Sequence, residues 1–170
     1  MYTMLQKCSI WKVAEVFFIE PTQVHYIKEI SRKINLAHTS VKNHIKTLLD
    51  EGLIEETAKE IFKGYKARRD NPEFIFYKKM SNQLILKSSK LLDSLKEHYP
   101  KSIILFGSYD KGEDIETSDI DLFINSKKFK IDVKKYEKDL KRRIHVVFKE
   151  EAGKDLMESI NQGSILFGER

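Results

Sequence analysis

Phe106-Gly107-Ser108-Tyr109-Asp110-Lys111-Gly112-Glu113-Asp114-Ile115-Glu116-Thr117-Ser118-Asp119-Ile120-Asp121-Leu122-Phe123-Ile124 is the stretch on which the fold turns. It continues an apolar run, Ile103-Ile104-Leu105-Phe106, that has Pro100 upstream and Gly107 downstream. A short apolar run so bounded reads as a buried strand. Gly107 and Ser108 end it, and a glycine there lets backbone approach a ligand with no Cβ in the way. The residues after Ser108 can start a short helix, whose free N–H groups favour an anion, and Gly112 closes that turn. Ser118 to Ile124 reads as a second strand. Side chains alternate along a strand, so Asp119 and Asp121 share one face and Ile120, Leu122 and Ile124 the other. Two carboxylates beside a glycine cradle suit Mg²⁺ and a triphosphate, because Mg²⁺ takes one or two carboxylates together with substrate phosphates.

These residues resemble a known family. Gly107-Ser108, ten residues, then Asp119-x-Asp121 is similar to the nucleotidyltransferases of the DNA polymerase beta superfamily. The nearest pattern is the minimal group, with Gly-Ser, a second glycine four residues on, and Ser-Asp-x-Asp-Leu. The resemblance implies that Gly107, Ser108, Gly112 and Ser118 bind nucleotide. It implies that Asp119 and Asp121 hold Mg²⁺ and are catalytic, with ATP or another NTP as substrate. The same motif occurs in antitoxins that modify HEPN-type ribonuclease toxins, which makes a protein hydroxyl a possible acceptor.

One position departs from the family. Its third strand usually brings a third carboxylate to face the first two. Aligning Arg143-Ile144-His145-Val146-Val147 with that strand puts His145 at the place of the acid. His145 can act as a base if neutral, or favour a softer ion such as Mn²⁺. It can equally mark a domain that binds nucleotide but turns over poorly, which leaves a nucleotide-sensing regulator as the alternative to an enzyme.

The chain has 170 residues, room for one ordinary domain or two small ones. An apolar content of 41%, with 10 Phe and 7 Tyr, is enough for a globular core. The net charge is +5, and nearly all the excess lies in residues 1–80, with 14 Lys/Arg against 10 Asp/Glu. The single cysteine, Cys8, excludes an internal disulfide and is expected as a buried thiol in a reducing compartment. No apolar run approaches the roughly 18 residues of a membrane span. No signal peptide is read. A cytoplasmic protein with no membrane partner is therefore expected.

The first 80 residues read as three helices and a β-wing. Ser9 can cap a helix carrying Trp11, Phe17 and Phe18 as core. A second runs from about Val24 to Ile34, and a third from Val41 to about Asp50 behind Thr39 or Ser40, with Gly52 just past its end. Leu53–Thr57 and Glu73–Lys78 read as two strands, with the basic, turn-rich Lys63–Pro72 between them as the wing. Residues 9–79 resemble winged helix-turn-helix regulators, most clearly over Ser40 to Ile54. That resemblance implies double-stranded DNA as a partner. His38, Thr39, Ser40, Lys42, Asn43 and Lys46 would face the major groove, and Lys66, Arg68 and Arg69 would come from the wing. The other reading of these residues is the solvated face of an amphipathic helix.

Ser81 to Tyr99 reads as one long linker helix, which either seams a homodimer or packs on the second domain alone. The expected architecture is α+β, with a winged helix over 1–80, the linker helix over 81–99 and a minimal nucleotidyltransferase domain over 100–170. Within that last domain a helix is expected at Val133–Lys141, a strand at Arg143–Phe148 and a final helix at about Lys154–Asn161.

Overall fold

The computed structural model describes residues 4–57 and 63–169. The chain divides into two compact units, Met1–Ser81 and Asn82–Arg170.

The first unit begins with a single turn, α1 (Met4–Lys7), and the helix α2 (Ser9–Ile19). Cys8 sits between them and is exposed, contrary to the buried thiol expected, because the short α1 gives it nothing to pack beneath. Trp11, Val13, Phe17 and Phe18 of α2 are buried, and Trp11 and Phe18 meet edge to face at 5.8 Å. Next come α3 (Ile27–Ile34) and α4 (His38–Asp50). α3 starts three residues later than the periodicity implies. The reason is that His25 is extended and exchanges both backbone hydrogen bonds with Tyr65, at 2.7 and 2.9 Å. Asn35 ends α3 in the left-handed region, and α4 follows after Leu36 and Ala37. α4 begins at His38, ahead of the Thr39 or Ser40 cap expected, with no side-chain cap of its own. Val41, Ile45 and Leu48 line its buried side at spacings of four and three.

β1 (Ile54–Thr57) and β2 (Gly64–Ala67) form an antiparallel pair, with Glu55 opposite Lys66 and Glu56 opposite Tyr65. The second strand therefore lies ten residues before the place expected for it. Glu73–Lys78 belongs instead to α5 (Pro72–Ser88). Local chemistry explains the difference. Asn71 Oδ1 accepts the Glu73 amide at 2.8 Å, Pro72 opens the helix, and Glu73 sits in its first turn. Each is a helix-start signal. The apolar alternation of Phe74, Phe76 and Tyr77 is broken in space: Phe74 and Lys78 are buried four apart, while Phe76 is exposed.

The long linker helix is also two helices, α5 and α6 (Leu91–Lys96). Ser89 interrupts them. Its hydroxyl donates to the Leu86 carbonyl at 2.7 Å and receives the Leu91 amide at 3.4 Å, so it offers the backbone an alternative to helical bonding.

The second unit is built on a four-stranded sheet in the order β5-β4-β3-β6. β3 (Ser102–Phe106) and β4 (Ile120–Ile124) are antiparallel, as are β3 and β6 (Ser164–Gly168); β5 (Ile144–Phe148) runs parallel to β4. The alternation read from the sequence sorts the two faces. Ile103, Leu105, Ile120, Leu122 and Ile124 pack with Leu86, the leucines of α6, and Tyr136 of α8 (Lys134–Leu140). Ile104, Phe106, Phe123 and Val147 pack on the other face with Ile160 of α9 (Lys154–Gln162). A short α7 (Gly107–Lys111) follows β3, and a 3₁₀ turn, Lys149–Glu151, follows β5. The chain thus has helices with two sheets, a mixed α+β architecture. No helix among the described residues is long and apolar enough to cross a membrane.

Candidate active site and candidate nucleic-acid face

Phe106 is the cross-strand partner of Asp121, so Gly107 leaves β3 directly beside that carboxylate. Gly107 has φ +76°, in the region that favours glycine. A Cβ on it would stand 2.6 Å from Asp121 Oδ2. The glycine therefore does two things at once: it turns the chain into α7, and it leaves the carboxylate its place. Gly112 ends α7 in the left-handed region, as read from the sequence.

Parallel pairing of β4 with β5 sets Asp121 opposite His145. His145 Nδ1 lies 3.1 Å from Asp121 Oδ1. A carboxylate only accepts, so this nitrogen carries the proton, and in the neutral ring Nε2 is the acceptor. Two residues earlier, Arg143 Nε–H donates to Asp119 Oδ1 at 3.1 Å. Two carboxylates on one strand thus face two cationic or potentially cationic groups on its neighbour. The cluster is open to solvent: the side chains of Asp119, Asp121, Arg143 and His145 are 38, 25, 79 and 61% exposed. Arg143 is the residue the sequence reading left out. Its parity with His145 matches that of Asp119 with Asp121, and that parity is the signal that finds it.

The loop between α7 and β4 is held from below. Asn82 Nδ2 donates both to the Tyr109 carbonyl at 2.8 Å and to Asp114 Oδ1 at 2.7 Å, and all three residues are buried. Arg142 reaches Asp114 Oδ2 at 3.8 Å. Ser118 Oγ accepts the Ile115 amide at 3.0 Å, closing the turn just before Asp119. Ser108 is half-buried in the first turn of α7.

Asp119 and Asp121 supply the hard oxygen donors that Mg²⁺ prefers, and Asp121 Oδ2 keeps its place only because residue 107 has no Cβ. Among the described residues no three His, Cys, Asp or Glu side chains are grouped to hold a metal ion by themselves. A pair of carboxylates fits an ion that is also held by the phosphates of a nucleotide, not a cage made by protein alone.

In the first unit, His38, Thr39, Lys42, Asn43 and Lys46 are exposed on α4, and Ser40 is half-buried. His38, Lys42 and Lys46 are four apart and share a face. Arg68 and Arg69 are exposed just beyond β2. The positive charge of the hairpin is partly offset. Lys66 pairs with Glu55 and Lys63 with Glu56, each at 2.9 Å. The cross-strand register makes the first pair, which a reading of the basic run alone does not reveal.

Residues 88–166 match the family model described as Nucleotidyltransferase domain, which covers β3 to β5, α6 to α9 and the first three residues of β6. Comparison with curated proteins and with solved structures gave no match.

Proposed function

We propose that the second unit transfers a nucleotide, with AMP from ATP as the leading case, to a hydroxyl of a second molecule, and that the first unit is a winged helix that binds double-stranded DNA. The observation that carries the transfer reading is the glycine of β3–α7 set against the Asp121 carboxylate, with Asp119 on the same strand face. Asp119 and Asp121 would hold Mg²⁺ with the nucleotide's phosphates. The ion when bound supplies charge neutralisation at the triphosphate and lowers the pKa of a coordinated hydroxyl.

The chain's own residues account for the rest. The acceptor oxygen bonds to the α-phosphorus as the α–β phosphoanhydride bond breaks, and pyrophosphate departs. The hydroxyl proton goes to His145 Nε2, whose tautomer is fixed by the bond from Nδ1–H to Asp121. Asp121 divides its oxygens between this role at Oδ1 and the space over Gly107 at Oδ2. Gly107 gives the phosphates close approach to the backbone, and Arg143 offers a guanidinium beside Asp119 for developing charge. Asp119→Asn should abolish transfer of radiolabelled AMP while leaving the thermal melt in place. Unchanged transfer would sink the assignment.

A second reading is favoured by the same cluster. Arg143 and His145 already occupy one oxygen of each carboxylate, as suits a site that binds nucleotide and does not turn it over. ATP would then change DNA affinity without being consumed. Titration of Mg·ATP calorimetrically, followed by analysis for pyrophosphate, separates the two.

The DNA reading is supported by the element order of the first unit. Helix, bridge at His25, two helices joined by a three-residue turn and a hairpin is the winged-helix succession. The exposed, acid-free stripe of α4 would enter the major groove.

A further inference from the structure

Beside the carboxylates lies an open groove of about 550 Å³ that shares only Ser118 and Arg143 with the transfer reading. One wall is the Glu116-Thr117-Ser118 loop; the other is α8 and the segment after it, with Lys134, Lys138, Lys141, Arg142 and Arg143. Lys134, Lys138 and Lys141 follow one another at spacings of four and three, so they form one ridge about 10 Å long at 1.5 Å per residue. All three are exposed. Arg142 is buried against Asp114 and fixes the end of that wall, while Arg143 lines the groove and touches Asp119. Glu137, one of two acids in the lining, is engaged: its Oε1 accepts the Ile144 amide at 2.9 Å and ties α8 to β5.

We propose that this groove binds the phosphate backbone of a single nucleic-acid strand and delivers its end to Asp119 and Asp121. Chemistry selects that ligand. The lining contains no aromatic and no aliphatic residue, so it offers neither a stacking platform for bases nor a desolvated anchor for a protein chain. Ammonium groups in series are sufficient for a phosphate chain, where affinity comes from charge neutralisation and counterion release alone. The groove therefore holds the strand without reading its sequence. Arg143 joins the two places, because a phosphate arriving in the groove competes with Asp119 for the same guanidinium. Use of the bound strand as the hydroxyl acceptor rests on the transfer reading; the binding does not.

The test is fluorescence anisotropy of labelled ten-nucleotide RNA and DNA strands on the full chain, without nucleotide or metal, across a salt series. Lys134→Gln/Lys138→Gln/Lys141→Gln is compared with the wild type and with Lys42→Gln/Lys46→Gln in the first unit. The groove variant should bind single strands at least tenfold more weakly. It should also lose about 2 from the salt slope, three phosphates at about 0.7 each. The first-unit variant should lose less of the single-strand slope than the groove variant does. Because all three lysines are exposed, the variant should melt with the wild type; Lys138→Glu alone provides a second variant, expected to weaken binding in the same direction. Wild-type affinity and slope in the groove variants would overturn the proposal. So would competition for the groove by tripolyphosphate or a polyglutamate peptide with no strand binding, which would assign it to a free phosphate chain or an acidic protein. Strand binding by a wild type that shows no transfer would refute only the transfer reading.

Discussion

Gly107 carries the greatest consequence for its size. Its φ of +76° and the 2.6 Å between a would-be Cβ and Asp121 Oδ2 give two separate reasons for glycine. Gly107→Ala must rotate the Asp121 side chain or shift the turn. An alanine in left-handed backbone costs about 1–2 kcal/mol, so the thermal melt should fall by a few degrees while the fold survives. Nucleotide binding should fall by far more, because the displaced group is the candidate metal ligand. Calorimetric titration of Mg·ATP beside the melt checks this. Binding at wild-type strength would show that Asp121 need not hold its position. The sequence made this residue legible because an apolar strand, Gly-Ser, a second glycine and Ser-Asp-x-Asp-Leu follow one another in a fixed order and spacing. It did not make Arg143 legible. A lone arginine at the start of a strand looks like surface charge, and only the parallel pairing of β4 with β5 puts it against Asp119.

At the scale of elements, the strands of the second unit were readable and the α5 region was not. Ile103–Phe106 and Ile120–Ile124 alternate or run apolar between clear breaks, and sheet burial follows that pattern directly. Phe74-Ile75-Phe76-Tyr77 has the composition of a strand, yet helix wins because its first turn is already satisfied by Asn71, Pro72 and Glu73. Asn71 also donates from Nδ2 to the Gly52 carbonyl at 2.8 Å, joining the start of α5 to the end of α4. Asn71→Ala removes both bonds. A lost N-cap costs about 1 kcal/mol, and the unpaired Gly52 carbonyl adds to it. Chemical denaturation should therefore show a loss of about 1–2 kcal/mol, where Asn71→Asp, which retains the cap but not the amide donor, loses less.

The same unit contains an acid whose stability contribution has the opposite sign to the usual one. Burial pushes the carboxyl of Glu15 on α2 above its ordinary range, and hydrogen bonds from Ser81 and Gln6 offset this only in part. Between the ordinary value and the raised one, the folded chain keeps a proton that the unfolded chain has released. Stability must therefore fall as pH rises through that window and stay lower above it. Glu15→Gln removes the ionisation and keeps an acceptor for Ser81. Its melting temperature relative to wild type should rise from about pH 4 to pH 7, and a flat difference across that range would show that Glu15 is ionised in the folded state at no cost.

For the whole molecule, the uneven charge of the chain bears on which unit meets which partner. Residues 1–80 hold nearly all of the net +5, and within the acid-free run from Ser31 to Leu49 the side chains of His38, Lys42 and Lys46 are exposed on α4. Exposed phosphate-contacting lysines act through counterion release, so their removal must appear in the salt slope as well as in affinity. Lys42→Gln/Lys46→Gln should reduce the duplex-binding slope by about 2, at about 0.9 per phosphate contact. Lys66→Gln should do less, because Glu55 already competes for that ammonium. The candidate catalytic groups are all in the second unit, Asp121 and His145 on β4 and β5 and Asp119 and Arg143 just before those strands. Nucleotide transfer, assayed without DNA, should therefore be unchanged in Lys42→Gln/Lys46→Gln, and duplex binding, assayed without nucleotide, unchanged in Asp119→Asn. Loss of both activities from either substitution would mean that the two units do not work as separate sites.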